Sequence, residues 1–310
     1  MKITEKDILK SNELTLNQLN RESIGEGKLI QGDTLDTLYK IDDNVVSLGI
    51  TSPPYNKQGK QKGWLVKNVE YDNSSDAMPE DKYQQNQVDV LEHIYRITKP
   101  GGSFFYNHKC RWSGGVMYHP MDWLRQTKWL IRQQIVWDRM IAANIRGWRF
   151  WQVEELIFWL YKPNQSILIG DELKSKHAKF TSIWRGVPEK HNSHPAPFPI
   201  WLPSRIIMSI LDNEKDHVVF DPYSGSGTTI IAAKYFGHKY LGIDISPTYI
   251  KMTCDRMNYS TVNDTINIEK EKLLHVVKKS FKQRKEEGAN TGKFKSDERD
   301  DDVNQIGLFD

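Results

Sequence analysis

The chain has 310 residues, 38% hydrophobic and 27% charged, with a formal net charge of +3, a composition that fits a globular protein with a substantial core. No apolar run approaches the ~20 residues that span a bilayer, and the opening segment MKITEKDILKSNELTLNQLN lacks the apolar stretch of a signal peptide. Cys110 and Cys254 are too few for a disulfide framework or a cysteine-rich zinc site, so a reducing cytoplasm, no metal and no membrane are expected, while the near-neutral charge is silent on nucleic acid.

In chain order, KLIQGDTLDTL (28–38) reads as a strand ending at Gly32-Asp33, then a short helix. VVSLGI (45–50) is a second strand, closed by ITSPPYN (50–56). Proline offers no backbone N–H, so Pro53-Pro54 makes a rigid turn that cannot extend a central strand. Residues 57–87 are polar and turn-rich without a sustained period, and so long an excursion inside a domain is usually functional or disordered. VDVLEHIYRIT (88–98) has helical spacing, and SFFYNH (103–108) reads as a strand. MDWLRQTKWL (121–130) predicts a helix, followed by strands at IRQQIVW (131–137) and VEELIFWLYK (153–162).

Trp123, Trp129 and Trp159 read as core residues. Trp148 and Trp151 lie beside Arg146 and Arg149, a mixture better suited to phosphates and stacked bases. Residues 163–192 are irregular, and PIWLPSRIIMSIL (199–211) predicts a helix interrupted near Pro203. HVVFD (217–221), TTIIAAKYFG (228–237), KYLGIDI (239–245) and PTYIKMTCDRM (247–257) alternate strand, helix, strand, helix. That alternation argues for an α/β fold with a mostly parallel sheet. After about residue 260 the character changes: 269–287 reads as a charged helix, and the following polar stretch has little to bury.

VVFDPYSGSGTTIIAAKYFG (218–237) sets a strand, Asp221, Gly225-Ser226-Gly227 and a helix in sequence. The glycines permit a tight turn and close approach of a ligand to the helix N-terminus. The next strand also ends in an acid, Asp244, about twenty residues on, where α/β nucleotide sites hold ribose hydroxyls. A third glycine is missing, which weighs against NAD, and no Gly-Lys-Ser/Thr follows, which excludes a P-loop. Acids at both strand ends suit a cationic amine and a ribose, and S-adenosylmethionine has both and no phosphate.

Together, Ser52-Pro53-Pro54-Tyr55 and Asp221-Pro222-Tyr223-Ser224-Gly225-Ser226-Gly227-Thr228-Thr229 resemble the catalytic and cofactor motifs of amino-methylating DNA methyltransferases. Tyr223 stands where phenylalanine is more frequent in that family. With the catalytic turn first and the cofactor loop last, the order resembles the permuted β group, and the likeness runs along 28–257. It implies a Rossmann-like S-adenosylmethionine-dependent methyltransferase fold with helices on both faces of the sheet. GDTLDTL resembles the adenine-contacting segment, with Asp33 accepting from the cofactor's amino group, and ITKPGGSFF resembles the group's central strand entry. HPAPFPIWLPSRII (194–207) resembles the segment that cups the methionine end, bringing in Pro195 and Phe198. Asp221, Tyr223, Gly225, Gly227, Thr228 and Asp244 complete the expected cofactor site.

An exocyclic amino group shares its lone pair with the ring, so acceptors must draw its hydrogens out of plane before it attacks. The Pro53 carbonyl and the Ser52 hydroxyl are candidate acceptors, and the Tyr55 ring is a surface for a flipped base. Methylation at cytosine C5 would need a nucleophilic cysteine, and neither cysteine is near the turn. Serine at the first motif position goes in this family mainly with cytosine N4, and adenine N6 is the alternative. An RNA or protein amide methyltransferase and a silent DNA-binding module are more distant rivals.

The expected organisation is a methyltransferase domain over 1–260 and a charged, largely disordered tail over 261–310. Within the domain, a catalytic half (28–162), a short recognition region (about 163–193) and a cofactor half (194–257) follow one another. Base reading on double-stranded DNA is expected from 57–87 and 139–150, with Lys57, Lys60, Lys62, Arg139, Arg146 and Arg149 as DNA contacts. A restriction–modification role is implied by the resemblance, and a homodimer would suit so small a recognition region. The terminal QIGLF, Gln305–Phe309, resembles the peptide by which bacterial proteins dock onto the replication sliding clamp.

Overall fold

The computed structural model describes residues 8–56, 78–142, 147–164, 180–189, 199–212, 214–259 and 262–275, with 286 and 288 in addition. Strands β1 (Ile8–Lys10) and β2 (Gly27–Gln31) flank helix α1 (Arg21–Ile24), and α2 (Thr34–Leu38) leads to β3 (Val46–Thr51). Helix α3 (Glu80–Ile97) runs into β4 (Thr98–His108), the hairpin β5 (Arg111–Ser113) and β6 (Val116–Tyr118), and the one-turn α4 (Met121–Leu124). Then come β7 (Leu130–Asp138), β8 (Glu154–Tyr161) and β9 (Ile183–Arg185). The chain ends its described part with α5 (Trp201–Leu211), β10 (Val218–Asp221), α6 (Thr228–Tyr235), β11 (Lys239–Asp244), α7 (Pro247–Asn258) and α8 (Val262–Leu274).

One sheet runs β1-β2-β11-β10-β3-β4-β8-β7-β9. Every pairing from β1 to β4 is parallel, β8 is antiparallel to both β4 and β7, and β9 is parallel to β7. The pleat sends alternate residues to opposite faces. Leu48, Ile50 and Val219 join a core under α5, α6, α7 and α8. Val218, Phe220 and Ile243 join a second core under α1, α2, α3 and α4, and so does Val46, which an irregularity in the β3–β4 register separates from Leu48. Burying each such side chain contributes about 1.5–3 kcal/mol. Within the second core Trp123 is wholly buried and donates its indole N–H to the Tyr106 hydroxyl at 3.2 Å. The mostly parallel Rossmann-like fold, with helices on both faces, is therefore present.

Several elements differ from the sequence expectation. Helix α3 begins at Glu80, inside the stretch expected as a loop to residue 87, because Tyr83 and Gln87 face the core one turn apart. The helix expected over 121–130 closes after one turn: buried Trp123 and Leu124 anchor it, and the chain leaves for β7 at Leu130. Pro203 does not interrupt α5, since it lies in the first turn, where the missing N–H has no intrahelical partner to lose. The irregular 163–192 stretch supplies β9, which pairs with β7 through Trp137 and Trp184.

The compact unit continues past 260 to His275, and a second unit, Val276–Asp310, follows. Helix α8 begins at Val262, ahead of the charged helix expected at 269–287, and residues 276–285 of that expectation lie outside the described residues. Glu271 takes both Arg205 Nε and Nη2, at 2.7 and 2.9 Å, which docks α8 on α5. No described helix is long and apolar enough to cross a membrane.

Candidate active site

Strands β3 and β10 are neighbours in the middle of the sheet, and both end at the same edge. At that edge the Thr51 hydroxyl donates to Asp221 Oδ1 at 2.7 Å, joining the proline turn to the glycine loop. The C-terminal edge of a parallel sheet is where open α/β folds place ligands.

The proline turn is held from several sides. Tyr83 Oη donates to the Pro54 carbonyl at 2.9 Å and meets His108 Nε2 at 2.8 Å. Asn56 exchanges two hydrogen bonds with the Met78 backbone, at 3.0 and 2.7 Å. Ser52 Oγ and Tyr55 Oη lie 2.7 Å apart, and Tyr55 Oη donates to Glu155 Oε2 at 3.0 Å. The Tyr55 ring packs on His108 at 4.6 Å with Lys109 above it, and the side chain is buried. Tyr55, expected as a ring on which a flipped base stacks, has its hydroxyl tied to Ser52 and Glu155, which braces the turn. Burial, with Arg111 and Lys109 nearby, keeps His108 well below the usual imidazole range and therefore neutral.

The glycine loop fits an organic cation carrying hydroxyls. Asp244 accepts Gly225 N–H at 2.8 Å through Oδ2 and Ser246 N–H at 2.9 Å through Oδ1, which fixes its carboxylate at the end of β11. Ser224 Oγ is buried there without a hydrogen-bond partner among the described residues. Asp33, two residues beyond β2, is the exposed N-cap of α2, accepting Asp36 N–H at 3.1 Å. Tyr223 is half-buried against the core under α2 and α3. Asp221 is enclosed, and that burial pushes its carboxyl up to about 6, despite the Thr51 and Thr229 hydroxyls and the Tyr223 N–H that favour its charge.

Two expected cofactor residues serve the loop itself. Gly227 has φ +77°, and a Cβ there would lie 2.4 Å from Thr253 Cγ2 on α7. The Thr228 hydroxyl receives Arg256 Nη1 at 3.0 Å, and Arg256 also reaches the Ser226 carbonyl at 3.3 Å and Asp264 on α8 at 2.7 Å. The missing third glycine of a dinucleotide site is supplied from the sheet: a Cβ at Gly242 would meet Ile230 of α6 at 3.0 Å.

Arg139, expected on DNA, is mostly buried and paired with Glu155 at 3.0 Å. Arg149 lies over the Trp112 ring at 4.0 Å, beside exposed Trp148, Phe150 and Trp151. Trp123, Trp129 and Trp159 are core residues, as expected. Lys57, Lys60, Lys62, Arg146, Pro195, Phe198 and Gln305–Phe309 lie outside the described residues. Sequence reasoning missed Asn107 and Glu155, although the paired acids Glu154-Glu155 at the head of the apolar run VEELIFWLY were a visible signal.

Comparison with known proteins agrees with this geometry. The profile of the N6/N4 methyltransferase family, described as DNA methylase, matches residues 46–255. The chain is 27% identical to type II methyltransferase M.BglII of Bacillus subtilis over 72% of its own length and 66% of the relative's. It is 24% identical to type II beta methyltransferase M.BslI of Bacillus sp. (strain NEB-606), over 75% of this chain but 28% of that one. The chain thus spans just under two thirds of the first relative and about a quarter of the second. DNA adenine methyltransferase YhdJ of Escherichia coli K12 is 24% identical over 81% of this chain and 90% of its own. Among solved structures, the cytosine-N4-specific PvuII DNA methyltransferase shares the fold at a TM-score of 0.60 and 16% identity, covering 87% and 94% of the two chains. TTHA0409 of Thermus thermophilus, complexed with S-adenosyl-L-methionine, does so at 0.53 and 23%, covering 74% and 93%.

Proposed function

The chain belongs to the N6/N4 DNA methylase family, and we propose that it methylates the exocyclic amino group of a flipped base in double-stranded DNA, using S-adenosyl-L-methionine. The supporting observation is the union of the two motifs at one sheet edge, with Thr51 bonded to Asp221 at 2.7 Å. When bound, the cofactor would supply a sulfonium methyl: the base nitrogen would take it as the S–C bond breaks, and the proton released from that nitrogen would pass to solvent.

Asp244, Asp33 and Ser224 are the groups that would hold the ribose and amino functions of the cofactor, and Asp221 keeps the loop against β3. Ser52 and the Pro53 carbonyl accept from the target amino group, while Tyr83 and Asn56 keep the turn still. A preorganised acceptor pair needs no rearrangement at the moment of reaction. Cytosine N4 is the target that serine at position 52 favours within the family. Adenine N6 is the second reading, supported by the match to an adenine methyltransferase over most of both chains. A restriction–modification role rests on the type II relatives. Docking of Gln305–Phe309 on a sliding clamp rests on the peptide sequence alone, and calorimetry with a peptide of residues 300–310 tests it.

The deciding experiment incubates the protein with labelled cofactor and duplex DNA, digests the DNA to nucleosides and identifies the product by mass. N4-methylcytosine supports the first reading and N6-methyladenine the second. Unlabelled DNA would sink both.

A further inference from the structure

We propose that Asn107 is a catalytic residue whose side-chain oxygen accepts one N–H of the target amino group, and that Glu155 sets its polarity. The inference deepens the reading above and rests on it. Asn107 lies near the end of β4, one residue beyond the Thr51–Tyr106 rung of the β3–β4 ladder, which sets it beside Ser52. Its Nδ2 lies 3.3 Å from Ser52 Oγ, 3.0 Å from Tyr55 Oη and 2.8 Å from Glu155 Oε2.

An ionised carboxylate only accepts hydrogen bonds. The arm of the Asn107 amide that faces Glu155 must therefore be the nitrogen, and the oxygen must be on the other arm. That oxygen, Oδ1, is buried and has no hydrogen-bond partner among the described residues, on a side chain that is 2% exposed. Buried side-chain acceptors are rarely left unpaired. An acceptor awaiting a donor, one amide away from Ser52, is what an amino group presenting two N–H bonds requires. Asn107 Oδ1 then takes one N–H, and Ser52 or the Pro53 carbonyl takes the other.

Glu155 is a positioning residue. Its Oε1 is held by Arg139 at 3.0 Å, and its Oε2 takes Tyr55 and Asn107. The substitution E155Q keeps shape and removes charge. Arg139 offers only donors, so it claims the new carbonyl oxygen and turns the new NH2 toward Asn107. The Asn107 amide then flips and aims its nitrogen at the target amino group, donor against donor. In the double variant N107D/E155Q a carboxylate accepts from that NH2 and again offers an oxygen to the base. In N107D alone two carboxylates face each other, so one holds a proton at a raised pKa. The proton stands in for the amide N–H at low pH, and the site fails as pH rises. The titratable and charged groups around this pair are Arg139, Tyr55, His108 and Lys109.

The test measures single-turnover methylation of duplex DNA, with cofactor affinity by calorimetry, for wild type and the three variants. E155Q is expected to slow transfer by about 10- to 100-fold, the scale of one mismatched buried polar contact, with cofactor Kd unchanged within about twofold. N107D/E155Q should recover at least tenfold over E155Q, and N107D should lose activity with rising pH where wild type does not. E155Q within threefold of wild type, or a double variant no faster than E155Q, overturns the proposal. Should E155Q not fold, the pH profile of N107D decides alone, a flat profile being the overturning result. Wild-type protein that leaves DNA unmethylated defeats the parent reading, a result distinct from a methylating wild type with indifferent variants.

Discussion

Thr253 on α7 occupies the space that a side chain at Gly227 would need, its Cγ2 lying 2.4 Å from where that Cβ would sit. The same threonine donates Oγ1 to the Gly225 carbonyl at 2.9 Å, so one residue shapes both glycine positions of the loop. Gly227→Ala must therefore break the loop twice, by a left-handed backbone costing about 1–2 kcal/mol and by a clash with a buried helix. The expected outcome is a lower Tm and loss of cofactor binding by calorimetry. Gly147→Ala, with nothing among the described residues within 4 Å of the new Cβ, should leave both unchanged. A Gly227→Ala protein that binds cofactor normally would contradict this account.

Asp221 gives the fold a pH dependence with a definite sign. Burial raises its carboxyl from the ordinary 3.8 to about 6, so the native state holds that proton more tightly than the unfolded chain. Below the unfolded pKa both states are protonated and the group costs nothing. Through the window between the two values the cost grows, reaching about 3 kcal/mol once both states are ionised. Asp221→Asn removes this term, so urea unfolding should show wild type losing stability relative to the variant from pH 4 to 6. Parallel stability curves would refute it.

Much of this was legible before the fold was known, for reasons visible in particular residues. Val46–Thr51 and Val218–Asp221 are apolar runs ended by turn residues, and both are strands. Their adjacency was not legible from pattern: Thr51 and Asp221 are 170 positions apart, and only the family resemblance brought them together. Helix α3 was under-read because its first buried residues, Tyr83 and Gln87, carry polar groups. The start of helix α8 was missed because two of its three buried residues, Asp264 and Glu271, are acids. Their partners, Arg256 and Arg205, come from other helices, and periodicity cannot see a salt bridge.

The Arg256 cluster ties the cofactor loop to α8. One guanidinium bonds Ser226, Thr228, Asp264 and Glu189 while 10% exposed. Arg256→Met takes the guanidinium away from the buried Asp264 carboxylate and should cost about 3–5 kcal/mol in urea unfolding. Pairing it with Asp264→Leu removes that charge, so the double variant should be more stable than Arg256→Met alone. An equal or lower stability for the double variant would mean that the loop, and not the carboxylate, carries the loss.

Arg149 and Arg139 sit in different surroundings and should respond differently to DNA. Trp148, Phe150 and Trp151 are 57%, 98% and 61% exposed, an expensive arrangement for aromatic rings unless something covers them. If single-stranded bases or an unstacked step cover them, alanine at Trp148 or Trp151 weakens DNA binding by about 1–3 kcal/mol and leaves unfolding within about 0.5 kcal/mol of wild type. Arg149 lies over Trp112 among them, and Arg149→Gln should lower the slope of log affinity against log salt by about 1. Arg139 is engaged with Glu155, so Arg139→Gln should slow methyl transfer and leave that slope alone. Fluorescence anisotropy across a salt series reads both. A reversed pattern, with Arg139 changing the slope and Arg149 not, would move the DNA surface away from the aromatic rim and onto the proline-turn site.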